Sequence, residues 1–289
     1  MEKSLFVPKQ RLTRFMSGAA MNRQYGIQLY CLGDVDRLQA LVPPPLKVIS
    51  LPLPGEKPQG IIYIYIVNIR EPSFAPWYME GGIGVMCDFN GKNGLHFIGL
   101  QLSGPGALMG MCSGRESSGL PKKICERIRV ERTGDAGRCF IERDGVRILD
   151  VECDIGQYND PMAKELFRAQ ESCSPGHPVD TDGKSLLFRH HLNGGFDALD
   201  IVYYDSPTLF HSWEPMSGKV TLASTINDPW GEIPLDRVVG GGWMVSDNRV
   251  NSCKTIYSYP AHDVYDAMQY LFTGRYDQCM LEKEHQIYE

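Results

Sequence analysis

The sequence predicts a mostly β fold: an antiparallel sheet closed into a barrel, with a few peripheral helices, in a single domain over residues 1–289. Short apolar or alternating segments recur about every ten residues with turn residues between them, which is the pattern of sandwiches and barrels. The chain carries 30 Gly and 19 Pro, which interrupt it before long helical periodicity can develop. At 289 residues it can bury a large core without disulfide staples.

Taken in order, the expected strands are 25–31, 60–68, 83–89, 95–103, 107–112, 123–131, 138–143, 146–155, 186–192, 198–204, 218–224, 237–245 and 250–259. Three helices interrupt them. Asp34 caps a helix over 35–42, which the Pro43-Pro44-Pro45 block stops. Asp160-Pro161 opens one over 162–170, with proline in the first turn. Residues 261–272 place Val264, Met268, Leu271 and Phe272 on one face and end at Thr273-Gly274. Residues 55–59 and 171–184, rich in Pro, Gly, Ser and Asp, read as loops.

Composition excludes several functions. With 35 acidic against 29 basic residues and no Lys/Arg tract, neither nucleic acid nor an acidic membrane surface is an expected partner. The first fifteen residues lack the apolar stretch of a signal peptide, and the longest apolar run, 61–67, is too short to span a bilayer. The nine cysteines stand singly with no C-x-x-C pair, so they read as reduced residues of a cytoplasmic protein that needs no metal.

Most apparent motifs have bland readings. Gly104-Pro-Gly106-Ala-Leu-Met-Gly110 follows a strand as a dinucleotide fingerprint would, but a fingerprint must open a helix, and Gly114, Gly119 and Pro121 leave no room for one. His190 and His191 would point to opposite faces of a strand and cannot easily share a metal. Asp180-Thr-Asp182-Gly183 begins like a calcium loop, yet the bidentate glutamate at the twelfth position is missing. Neither G-x-S-x-G nor H-E-x-x-H occurs.

Gly114-Arg-Glu116-Ser-Ser-Gly-Leu-Pro121-Lys122-Lys123 is the informative segment. In the strand that follows, Ile124, Ile128 and Val130 share one face; extending that parity backwards puts Lys122 inside and Lys123 outside. A lysine amine is a nucleophile only when neutral, and at an ordinary pKa only about 0.04% is neutral at pH 7. An apolar setting and a neighbouring cation both favour the neutral amine. Residues 114–132 hold six basic and three acidic side chains, a cationic segment within an acidic chain and a setting suited to a small carboxylate.

GRESSGLPKK resembles the G-R-E-x-x-x-x-P-K-K active-site segment of acetoacetate decarboxylases. Asn22-Arg23-Gln24-Tyr25, residues 36–45 ending in Val-Pro-Pro-Pro, and Trp77-Tyr78-Met79-Glu80 resemble further segments of that family, as do 186–193, 213–222 and 233–239. The resemblance implies a β-barrel fold, a homo-oligomer and a small-molecule keto acid substrate, with no cofactor. It makes Lys122 the Schiff-base lysine, Lys123 its pKa-perturbing neighbour, and Glu80 and Arg23 catalytic pocket residues, with Tyr65 and Glu116 as further pocket candidates. Tyr65 stands where the family decarboxylase has a second glutamate. The implied activity is decarboxylation of a β-keto acid through an iminium and enamine. The same lysine would serve an aldolase, dehydratase or cyclase in a secondary-metabolite pathway, and a barrel that merely binds a small ligand is the non-enzymatic alternative.

Overall fold

In the computed structural model, which describes residues 5–278 and 281 apart from 17, 54, 56, 175 and 192–197, sixteen strands join one mixed sheet. Helix α1 (Lys9–Met16) precedes β1 (Ala20–Asp34), which runs into α2 (Val35–Gln39) and the short β2 (Lys47–Val48) and β3 (Ser50–Leu51). Long hairpins β4 (Gln59–Pro72), β5 (Tyr78–Phe89) and β6 (Lys92–Ser103) follow. Helix α3 (Ala107–Ser118) delivers the chain to β7 (Lys122–Ile124), and β8 (Arg127–Thr133), β9 (Ala136–Arg143) and β10 (Val146–Ile155) form a meander. After α4 (Ala163–Leu166) and α5 (Arg168–Glu171) come β11 (Val179–Thr181), β12 (Lys184–His191) and β13 (Ala198–Asp205). The last strands are β14 (Thr208–Leu222), β15 (Arg237–Arg249) and β16 (Ser252–Ser258), followed by α6 (Val264–Leu271).

The sheet order is β16-β13-β12-β6-β5-β4-β1-β15-β14-β10-β9-β8. It therefore has two ends and is not closed into the expected barrel. At one end β8 carries exposed Arg127, Arg129 and Glu131, charges that suit a strand left unpaired on one edge. It packs across β4, β5 and β6 through side chains, with Ile128 buried and its N–H donated to Ser103 Oγ. Nor is the sheet wholly antiparallel, because β7 and β12 both run parallel to β6.

Side-chain alternation divides the interior in two. Along β4, Ile62, Ile64 and Ile66 enter an aliphatic core with Ile27, Leu29 and Cys31 of β1. Tyr63, Tyr65 and Val67 point to the opposite face, where Tyr78, Leu100, Leu120, Tyr204 and Phe210 gather. A strand buried on both faces reads as one apolar run, and only the Ile/Tyr alternation distinguishes its two sides.

Most expected strands lie within observed ones, and 146–155 coincides with β10. The expected end at Leu192, the family-like segment end at Asn193, and Cys279 lie outside the described residues. Residues 107–112 are the main error: they are helical, so the helix judged impossible after Gly110 exists. Its glycines are needed for close approach, since a Cβ on Gly110 would lie 3.0 Å from the Tyr78 ring. Gly119, at φ +83°, ends it in the left-handed conformation. Asp34 caps α2 by accepting the Asp36 and Arg37 N–H groups, but the helix stops at Gln39. The expected 162–170 helix is split into α4 and α5 at Phe167, which is buried and stacked on Tyr30. Among the described residues no helix is long and apolar enough to cross a membrane.

Candidate active site

Register assembles the site. Tyr65 on β4 pairs with Gly82 on β5, Gly82 with Leu100 on β6, and Leu100 with Lys122 on β7, so the four lie in one row across the sheet. Glu80 lies two residues along β5 and therefore on the same face. A Cβ on Gly82 would fall 2.4 Å from Leu100 Cδ2, so this position must be bare for the row to pack.

At this row Lys122 Nζ lies 2.7 Å from Glu80 Oε2, and Tyr65 donates its hydroxyl to Glu80 Oε1 at 2.6 Å. Lys122 is 4% exposed and Glu80 7%. Burial and the Glu80 carboxylate hold the Tyr65 phenol well above its usual range, so it remains a donor. Tyr78 and Tyr204 are pushed up for the same two reasons. The three hydroxyls thus keep their protons around a single buried carboxylate. Each Glu80 oxygen has its own partner, one on Lys122 and the other on Tyr65, as a buried charge requires.

Helix α3 closes the site from above. A Cβ on Gly114 would lie 2.9 Å from both Cδ and Cε of Lys122, so this turn of helix rests directly on the lysine stem. Ser113, Gly114, Ser117 and Ser118 of α3 line a cavity of about 440 Å³ that contains Lys122, Glu80 and Tyr65. Tyr30, Tyr63, Phe97 and Phe210 supply aromatic walls, and Gln24 and Gln28 of β1 supply amides.

The other expected site residues lie elsewhere. Lys123 leaves β7 on the opposite face, where it is buried rather than outside as the parity suggested. Its ammonium contacts Asn227 O at 2.9 Å, Asp228 at 2.8 Å and Asp277 at 3.3 Å. Two carboxylates, Asp228 and Asp277, thus answer the charge of the cation expected as the neighbour of Lys122. The parity fails because the chain bends between β7 and β8, leaving Ile124 exposed and Cys125 buried. Arg23, expected to orient Glu80, sits at a bulge of β1 with its side chain 68% exposed and paired with Glu71. Glu116 is exposed and paired with Arg115, outside the cavity lining.

Sequence reasoning missed Gly114, Ser118, Tyr204 and the two glutamines. For β1 a signal was present: Gln24, Gln28 and Tyr30 alternate with Ile27, Leu29 and Cys31, so the polar residues share one face of a buried strand.

The acetoacetate decarboxylase family model matches residues 8–260. The chain is similar to the CLA biosynthesis isomerase of Lactiplantibacillus plantarum, 28% identical over 290 residues that cover 99% of each protein. Its fold is similar to acetoacetate decarboxylase from Legionella pneumophila subsp. pneumophila str. Philadelphia 1, with TM-score 0.64 and 14% identity over 84% of this chain and 88% of that one. The enduracididine biosynthesis enzyme MppR complexed with pyruvate gives TM-score 0.57 and 12% identity over 89% and 93%. With a match across most of its length and the lysine segment in place, this chain belongs to the acetoacetate decarboxylase family.

Proposed function

We propose that the chain is an enzyme in which Lys122 forms a Schiff base with the ketone of an extended, largely apolar keto acid, and Glu80 then moves a proton on the resulting enamine. The observation that carries this reading is the buried Tyr65–Glu80–Lys122 chain opening onto a cavity of about 440 Å³. Cavities of roughly 300–1,000 Å³ hold drug-sized ligands, and acetoacetate would leave most of this one unfilled.

The amine of Lys122, having passed a proton to Glu80, attacks the ketone carbon. Glu80 gives that proton to the carbinolamine hydroxyl, which leaves as water, so that an iminium forms and the carboxylate is free again to act as a base. The iminium draws electrons from the adjacent carbon, and Glu80, bonded to the lysine nitrogen, is within reach to remove a proton there. Once the proton on Glu80 has exchanged with solvent, its delivery to a more distant carbon of the conjugated enamine shifts a double bond, and hydrolysis frees the lysine. Tyr65 holds the second Glu80 oxygen, which leaves the other to act as the base.

Proton transfer is favoured over carbon–carbon cleavage by the charges in the cavity. Among the described lining residues the cations are Lys122, paired with Glu80, and Lys184, paired with Asp205 at 2.5 Å. Neither is an uncommitted partner for a carboxylate beside the ketone. The full-length similarity to an isomerase supports the same choice. Decarboxylation of a β-keto acid is the second reading, supported by the family itself and by Glu80, whose charge would destabilise a neighbouring substrate carboxylate.

Reaction in D2O separates the two. A long-chain β,γ-unsaturated ketone should become the conjugated isomer with deuterium on carbon, and Glu80→Gln should slow this by about 10²–10⁴-fold. Release of CO2 from a β-keto acid without deuterium exchange or isomerisation of the ketone would replace the first reading with the second.

A further inference from the structure

Arg275 is a buried charge that the proposed chemistry does not use. It is 4% exposed, and its guanidinium donates to two main-chain carbonyls, Gly119 O at 2.7 Å and Phe188 O. Burial pushes this guanidinium down to about 10. Its own carbonyl accepts from Arg115 of α3 at 3.3 Å. The neighbouring residues are equally placed: a Cβ on Gly274 would lie 3.0 Å from the Pro121 ring, and Asp277 contacts Lys123 at 3.3 Å. Asp277 is fixed in turn by Arg143, whose Nη2 donates to both of its carboxylate oxygens at 2.7 Å.

Residues 274–277 therefore touch 119, 121 and 123, the positions flanking Lys122, while Lys122 itself points into the cavity. We infer that this post-α6 segment is a positioning clamp: Arg275 holds the α3 exit from one side and Asp277 holds Lys123 from the other, fixing the backbone from which Lys122 reaches Glu80. Both carbonyls are held by one nitrogen, Nη2, at the far end of the guanidinium, a position that an ammonium on the shorter lysine stem would not reach. Lys123 thus acts through its anchorage rather than as a cation beside Lys122. The inference rests on the reading of Lys122 as the nucleophile.

The test uses acetic anhydride as a probe of the lysine amines in the full chain, independent of any substrate. Acetylation of Lys122 is followed by peptide mass spectrometry from neutral to alkaline pH, with exposed Lys219 as internal standard. In wild type Lys122 should be distinct from Lys219. In Arg275→Met and Asp277→Asn its rate should move towards that of Lys219 by about tenfold or more, the scale on which roughly 1 Å of misplacement acts on a positioned group. Arg275→Lys, which keeps the charge and shortens the reach to the two carbonyls, should behave like Arg275→Met. Melting curves identify folded variants, and should Arg275→Met fail to fold, Asp277→Asn at a half-buried side chain carries the test. Folded variants with a wild-type Lys122 profile would overturn the clamp alone. A wild-type Lys122 indistinguishable from Lys219 would overturn both the clamp and the reading on which it rests.

Discussion

At the scale of the residue, the centre is a buried ion pair whose carboxylate is also a hydrogen-bond acceptor for Tyr65. Removing one member of a buried pair strands the other charge, typically at about 3–5 kcal/mol. Lys122→Ala should therefore lower stability as well as abolish activity. Lys122→Ala combined with Glu80→Gln should recover part of that loss in denaturant titrations, because the stranded charge is gone. Equal stability of the single and double variants would show that Glu80 is not buried as a charge. Tyr65→Phe removes one donor from Glu80 and should lower the proton-transfer rate with little effect on substrate KM. Lys122 was legible because its segment is specific, and Glu80 because its own segment resembles the family's. Tyr65 was legible only as a departure, since an apolar run hides which face each residue takes. Arg23 was misplaced because the β1 bulge turns its side chain outward to Glu71, and sequence spacing does not reveal a bulge.

Among the elements, α3 was the one the sequence concealed. Glycine and serine are poor helix formers, so composition argued against a helix over 107–118. Contact decides instead, because only a small-residue face lets the helix approach Tyr78 and the Lys122 stem. Gly114→Ala tests this at one atom. By propensity it should stabilise the helix by up to about 1 kcal/mol. The added methyl would meet only the flexible end of Lys122, so the fold should hold while the amine is displaced from Glu80. Melting unchanged or slightly raised, with at least about tenfold lower activity, is the expected pair of results. Retained activity would show that α3 does not set the lysine's position. Helix α2 and strand β10, by contrast, were legible because a cap and a clean alternation are local signals.

For the whole molecule, strand content was legible and closure was not. Alternation reports how many strands exist, but whether the last pairs with the first depends on edges far apart in sequence. Here β8 meets β4, β5 and β6 through side chains rather than through a ladder. Burial of a titratable group between β6 and β12 gives the molecule a pH dependence. Desolvation, and to a lesser degree Arg275, pushes the His96 imidazole down to about 4. The unfolded chain takes up this proton below about pH 6.5, whereas the folded protein does so only near 4. The stability this group contributes is present above about 6.5 and is lost as the pH falls towards 4, by about 3 kcal/mol at most. Denaturant titrations of wild type and His96→Gln across that window should converge on acidification, and parallel curves would contradict this assignment.

The central claim is that the Lys122 amine is a nucleophile towards a ketone. Borohydride reduction in the presence of a long-chain keto acid, followed by peptide mass spectrometry, tests it most directly. A reduced adduct on Lys122, absent from Lys122→Ala, is the predicted result. No adduct would contradict the account and leave a cavity that binds its ligand without covalent chemistry, and an adduct that persists on another residue in Lys122→Ala would contradict it by placing the nucleophile elsewhere.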